Sequence, residues 1–199
     1  MKITSVHNEI PVWEVSDFDL PHVDWIDTGH LDQGNNNPVK ALRRHCAIDP
    51  QNESHTEFTN SWNNHIAYLE NFLSEEAEDN EFIKPIWMGR MKNIKIGTNI
   101  DILNDLPGFS MSRHIDNRFV LGVLIINLQD NPDSTCTNFW SNNWEDKDPW
   151  YKSPTKKGTG VFMLNSWNTR HSIEITPEET ESRMIGYQTI SIPTILNDI

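Results

Sequence analysis

The sequence predicts a mainly β fold, a sandwich, barrel or jelly roll, on three observations. From Ile83 onward, short apolar runs of strand length are broken every few residues by Asn, Asp, Pro and Gly. No helical pattern separates those runs, which argues against a parallel sheet with crossover helices. The 199-residue chain is long enough for one domain to bury a core without disulfide or metal staples.

Taken in order, residues 1–82 read as an irregular and helical annex packed on the core, and 83–199 as the core, the two forming one folding unit. Asn37-Pro38 starts a short helix through Val39, Leu42 and Cys46. A longer helix spans 56–77, where Phe58, Trp62, Ile66, Leu69 and Leu73 recur at helical spacing. Both read as N-terminal support helices, with Trp62 and Phe72 in the core. Strands follow at 85–90, 92–96, 100–103, 111–115, 120–128, 137–140, 160–164, 171–175 and 183–192. The connection 141–157 is long and polar and carries Trp144, Trp150 and Tyr151. It reads either as an ordered lid whose Trp144 and Trp150 bind substrate or as simple surface padding.

Composition narrows the function classes. A net charge of −13 argues against a surface that tracks a phosphate backbone, so nucleic acid is not an expected partner. No apolar run approaches the length of a membrane span, and the opening MKITSVHNEIPVW lacks the apolar stretch of a signal peptide. Cys46 and Cys136 stand far apart, outside any CxxC pattern. They fit a reducing cytoplasm and a packing role.

The chemistry is carried by His114, Asp116, His171 and Arg183. His-x-Asp alone says little, because His22–Asp24 and His30–Asp32 satisfy it too. On a strand, residues i and i+2 point the same way, so such a pair can chelate one ion. Only the third pair sits at a strand, and the first two read as surface or capping residues. His171 follows Asp116 by 55 residues (171 − 116) and opens another strand, and Arg183 lies 12 further on (183 − 171). Two imidazoles and one carboxylate suit a non-haem Fe(II) that keeps open positions. Arg183 shares a strand face with Ile185 and Tyr187 and offers a planar fork for a carboxylate.

The segments PGFSMSRHIDNRFVLGVLIINL, GTGVFMLNSWNTRHSIEI and ESRMIGYQTISI resemble the core of the Fe(II)- and 2-oxoglutarate-dependent oxygenases, within them the prolyl-hydroxylase-like branch. The likeness covers residues 91–192, about half of the chain. It implies a double-stranded β-helix, metal ligands His114, Asp116 and His171, and Arg183 gripping the far carboxylate of 2-oxoglutarate. Met111 and Ser112 stand where hydroxylases of this branch often carry a tyrosine, and no serine follows Arg183 by two residues.

The resemblance further implies that oxidation of 2-oxoglutarate to succinate and CO2 is coupled to hydroxylation of an unactivated C–H bond by O2. Iron carries that chemistry, and no separate acid or base is expected. Retention of Asp116 favours hydroxylation over halogenation. A peptide side chain or a small metabolite is the expected substrate. The competing reading is a jelly roll that binds metal without catalysis, or serves as a structural module. Arg183 speaks against it, since metal binding alone has no use for a guanidinium there.

Overall fold

A computed structural model describes residues 1–31, 42–79, 100–117 and 120–191 of the chain. The strands β1 (Lys2–Ser5), β2 (Val12–Ser16), β3 (Ile26–Leu31) and β4 (Arg43–Ala47) precede one long helix, α1 (Glu53–Asp79). Eight more strands follow. They are β5 (Asp101–Asp105), β6 (Ser110–His114), β7 (Val120–Asn127), β8 (Asn138–Trp140), β9 (Tyr151–Lys152), β10 (Gly160–Leu164), β11 (Arg170–Glu174) and β12 (Arg183–Ser191).

These strands form two antiparallel sheets. The larger runs β1-β2-β10-β7-β12-β5-β4-β3 and the smaller β6-β11-β8-β9. From β5 onward the chain alternates between them: β5, β7, β10 and β12 lie in the large sheet, and β6, β8, β9 and β11 in the small one. That alternation is a double-stranded β-helix, as the resemblance implies. Pro107-Gly108 makes the first crossing, in a turn closed by the Phe109 N–H on the Leu106 carbonyl (3.0 Å) with Gly108 at φ +86°. Proline second and a positive φ third are the marks of a type II turn.

Seven of the nine expected strands coincide with observed ones to within two residues, while those at 85–90 and 92–96 lie outside the described residues. The N-terminal third departs from expectation, since it contributes four strands to the large sheet. The helix expected through Leu42 and Cys46 is instead β4, bonded to β3 on one side and β5 on the other. Pairing on both edges satisfies the strand's backbone, and that outweighs the weak local helical pattern. The part of that helix before Leu42 falls outside the described residues.

Helix α1 begins three residues earlier than its apolar periodicity suggests. Asn52 caps it, its side-chain oxygen accepting from the Ser54 N–H at 3.0 Å. Phe58, Trp62, Ile66, Leu69 and Leu73 form one core cluster with Leu124 and Ile126 of β7 and Phe162 and Leu164 of β10. The alternate residues Val123, Ile125, Val161, Met163 and Ile185 belong to a second cluster, with Phe139 of the small sheet. The large sheet is therefore covered on both faces, by helix and by strands. Cys46 and Cys136 are both buried and free, and burial raises both thiol pKa values. Among the described residues no helix is long and apolar enough to cross a membrane.

Trp62, fully buried, packs against Gly186 of β12, and its indole N–H donates to the Gln188 side-chain oxygen. A Cβ at position 186 would stand 2.5 Å from the ring, so the missing side chain is what lets the helix seat on β12. Gly186→Ala is expected to destabilise the protein by about 2 kcal/mol through overpacking. Urea unfolding checks this, and a variant as stable as the wild type would mean that the helix seats by other contacts.

Candidate metal centre

The small sheet brings two imidazoles together by register. β6 and β11 pair antiparallel with His114 opposite His171, and the ring centroids are 4.3 Å apart. Directly opposed residues on one sheet face approach this closely. Asp116 lies two residues past the end of β6. Its Oδ1 is 3.8 Å from His114 Nε2 and 3.9 Å from His171 Nε2.

Each ring is oriented by its own backbone. His114 Nδ1 lies 2.8 Å from the Ser112 carbonyl and His171 Nδ1 lies 3.0 Å from that of Thr169. A carbonyl oxygen can only accept, so each Nδ1 carries the proton, and in the neutral imidazole Nε2 keeps its lone pair. Both lone-pair atoms lie beside the Asp116 carboxylate. The three donor atoms fall within 4.8 Å of one another. An ion about 2.1 Å from each would hold neighbouring donors roughly 3 Å apart, so a closing movement of under about 1 Å completes the set. An Nδ1–H donated to a carbonyl is the usual support for a metal-binding histidine. The donor set fits a divalent transition metal.

Asn165, just after β10, holds the Asp116 turn. Its amide donates to the carbonyls of Asp116 (3.1 Å), Asn117 (3.1 Å) and Val120 (3.0 Å). Sequence reasoning passed over this residue, although its place at a strand end before the second histidine is a turn signal.

The three residues line a cleft between the sheets, which Met111, Ile125, Ile173 and Ile185 wall with apolar surface. Arg183, Thr137 and Arg43 line it too. Arg183, 3 % exposed, donates from Nη2 to Thr137 Oγ1 at 2.8 Å. Its Nε is buried and has no hydrogen-bond partner among the described residues. Burial lowers its pKa to about 10 while the Asp105 carboxylate works the other way, so it stays cationic at neutral pH. Tyr187 completes the expected row of Arg183, Ile185 and Tyr187 on one face of β12. Burial first, then the Asp116 charge, raises its phenol pKa.

The other singled-out residues fall elsewhere. His22 and Asp24 form an exposed local pair at 3.4 Å, in keeping with a surface role. His30, against the expectation that only the third pair lies at a strand, sits on β3, and Asp32 lies outside the described residues. Trp144 is exposed and stacks on the Arg170 guanidinium at 4.3 Å. Trp150 packs edge-on against His7 and beside Phe139. Neither tryptophan lines the cleft. Arg113 pins the start of the 141–157 connection, donating to the carbonyls of Trp144 (3.3 Å) and Asp146 (2.7 Å).

No protein-family model and no curated protein matches the chain. Among solved structures it is similar to a Trichoplax adhaerens prolyl hydroxylase in complex with a hypoxia inducible factor oxygen degradation domain peptide fragment, at 16% identity and TM-score 0.48, over 75% of this chain and 63% of that one. It is also similar to an oxidoreductase of the 2OG-Fe(II) oxygenase family from Burkholderia pseudomallei, at 16% identity and TM-score 0.39, over 61% of this chain and 55% of that one. A Pseudomonas putida prolyl-4-hydroxylase is similar at 13% identity and TM-score 0.41, over 75% and 68%. The chain thus spans less than two thirds of the first two proteins.

Burial holds the His171 pKa below its ordinary 6.5, against the Asp116 charge that raises it. The unfolded chain therefore binds this proton more readily than the folded one. The resulting stability is present above the unfolded value and lost as pH falls through the folded one. Metal-free protein should lose melting temperature as pH falls below the ordinary histidine value of 6.5, and His171→Asn should flatten that slope. Parallel slopes for the two proteins would refute the assignment.

Proposed function

We propose that this chain is an Fe(II)- and 2-oxoglutarate-dependent dioxygenase that hydroxylates a C–H bond of a peptide side chain or a small metabolite. One observation carries the reading. Two imidazoles with backbone-fixed Nδ1–H groups and one carboxylate share a cleft with a buried arginine whose Nε has no hydrogen-bond partner among the described residues. A metal-binding module without catalysis would explain the first three residues but not the fourth. Burying an unpaired donor on a cation is costly unless a ligand completes it.

His114 and His171 would hold the metal through Nε2, and Asp116 would add one negative charge. Bound there, Fe(II) supplies the O2-dependent oxidation that couples decarboxylation of 2-oxoglutarate to hydroxylation of the substrate. Held by these three residues, the ion would keep positions for cosubstrate and O2. Arg183, braced by Thr137, would fix the distal carboxylate of 2-oxoglutarate through charge-assisted bonds. The apolar walls of Met111, Ile125, Ile173 and Ile185 exclude water between the two polar ends, which strengthens both interactions.

The test is anaerobic titration of Fe(II) and 2-oxoglutarate, read by the weak visible charge-transfer band of the chelate. Wild type should develop the band and His171→Ala should not. Arg183→Ala should weaken 2-oxoglutarate roughly 10- to 100-fold while leaving Fe(II) affinity within a few-fold, because it removes a carboxylate fork and no metal ligand. Absence of the band in wild type, or its persistence in His171→Ala, would overturn the reading. Slow succinate release in air without added substrate then separates an enzyme from a binding module.

A further inference from the structure

Asp105 has an arginine on each side. The register sets Arg43 of β4 opposite it on one edge of β5 and Arg183 of β12 opposite it on the other. The carboxylate is completely buried, so its oxygens must find protein partners. Arg43 provides them in a bidentate pair, Nε to Oδ1 at 2.6 Å and Nη2 to Oδ2 at 2.9 Å. Arg183 comes no closer than 3.7 Å through Nη1, beyond hydrogen-bond reach. Arg43 is held in turn, its guanidinium 4.4 Å from the centre of the Phe109 ring and Nη1 3.8 Å from Met111 Sδ.

Both arginines flank this one carboxylate, and a ligand carboxylate in the cleft would need a guanidinium of its own. The asymmetry decides which arginine supplies it. Asp105 is engaged by Arg43, and Arg183 keeps an Nε with no hydrogen-bond partner among the described residues.

We infer that Arg43 is a positioning residue for the cosubstrate, occupying Asp105 so that Arg183 stays available to a ligand carboxylate. This rests on the 2-oxoglutarate reading above. Without Arg43, the Asp105 carboxylate would turn to Arg183, cancel its charge and take its donors. Removing Asp105 as well would free Arg183 again. A residue of the N-terminal strands would thus govern the affinity of a pocket that it borders but whose ligand it does not grip.

Isothermal titration of 2-oxoglutarate into Mn(II)-loaded protein tests this, beside 2-oxovalerate, which has no distal carboxylate. Arg43→Met should weaken 2-oxoglutarate on the order of tenfold and leave 2-oxovalerate unchanged. The double variant Arg43→Met/Asp105→Asn should recover most of the lost affinity, which a purely structural role for Arg43 would not produce. Circular dichroism checks folding. If Arg43→Met does not fold, the double variant alone decides, and it must bind 2-oxoglutarate within a few-fold of wild type. Wild-type affinity in Arg43→Met, or a double variant as weak as the single one, would overturn the inference. Wild type that binds no 2-oxoglutarate, or Arg183→Met that binds it normally, would instead bring down the reading beneath it.

Discussion

The site depends on one register, the pairing of β6 with β11 that sets His114 against His171. Side chains alternate along a strand, so a slip of one residue would turn one imidazole to the opposite face of the small sheet. The backbone carbonyls that orient both rings lie on the same two strands or their immediate ends, at Ser112 and Thr169. A single pairing therefore fixes distance, ring orientation and tautomer together. Asp116 needs separate support, because it lies beyond the strand, and Asn165 provides it with three bonds to the turn carbonyls.

The large sheet has a different task. It carries Arg183, Ile185 and Tyr187 on the face toward the cleft, and on the other face Gly186 and Gln188 receive Trp62 of the helix. Successive residues of β12 thus alternate between site and support. Helix α1 makes no contribution to the cleft lining, yet it covers the strand on which the buried arginine is mounted. The N-terminal strands extend the same sheet at both edges, and one of them brings Arg43 to the site.

What was legible in the sequence follows local periodicity. His114 and Asp116 two residues apart, and Arg183 on one face with Ile185 and Tyr187, are short-range patterns that a single strand displays. Helix α1 was legible for the same reason. Arg43 and Asp105 were not, because they are 62 residues apart and meet only through the pairing of β4 with β5. Neither RRHCA of β4 nor KITS of β1 alternates apolar and polar residues cleanly. Both are strands because a neighbouring strand completes their backbone bonding. Thr137 and Asn165 were hidden likewise, as ordinary polar residues whose importance lies in what stands beside them after folding.

The division of the cleft between two sheets has a mechanical consequence. Every candidate metal ligand belongs to the small sheet or the turn that follows β6, while the buried guanidinium belongs to the large one. A metal ion alone would tie the small sheet to itself. A dicarboxylate reaching from that ion to Arg183 would be a strut across the seam of the sandwich, resisting the separation of its halves. Such a ligand would then stiffen this protein out of proportion to its size, and with the ion would slow amide exchange in both sheets at once.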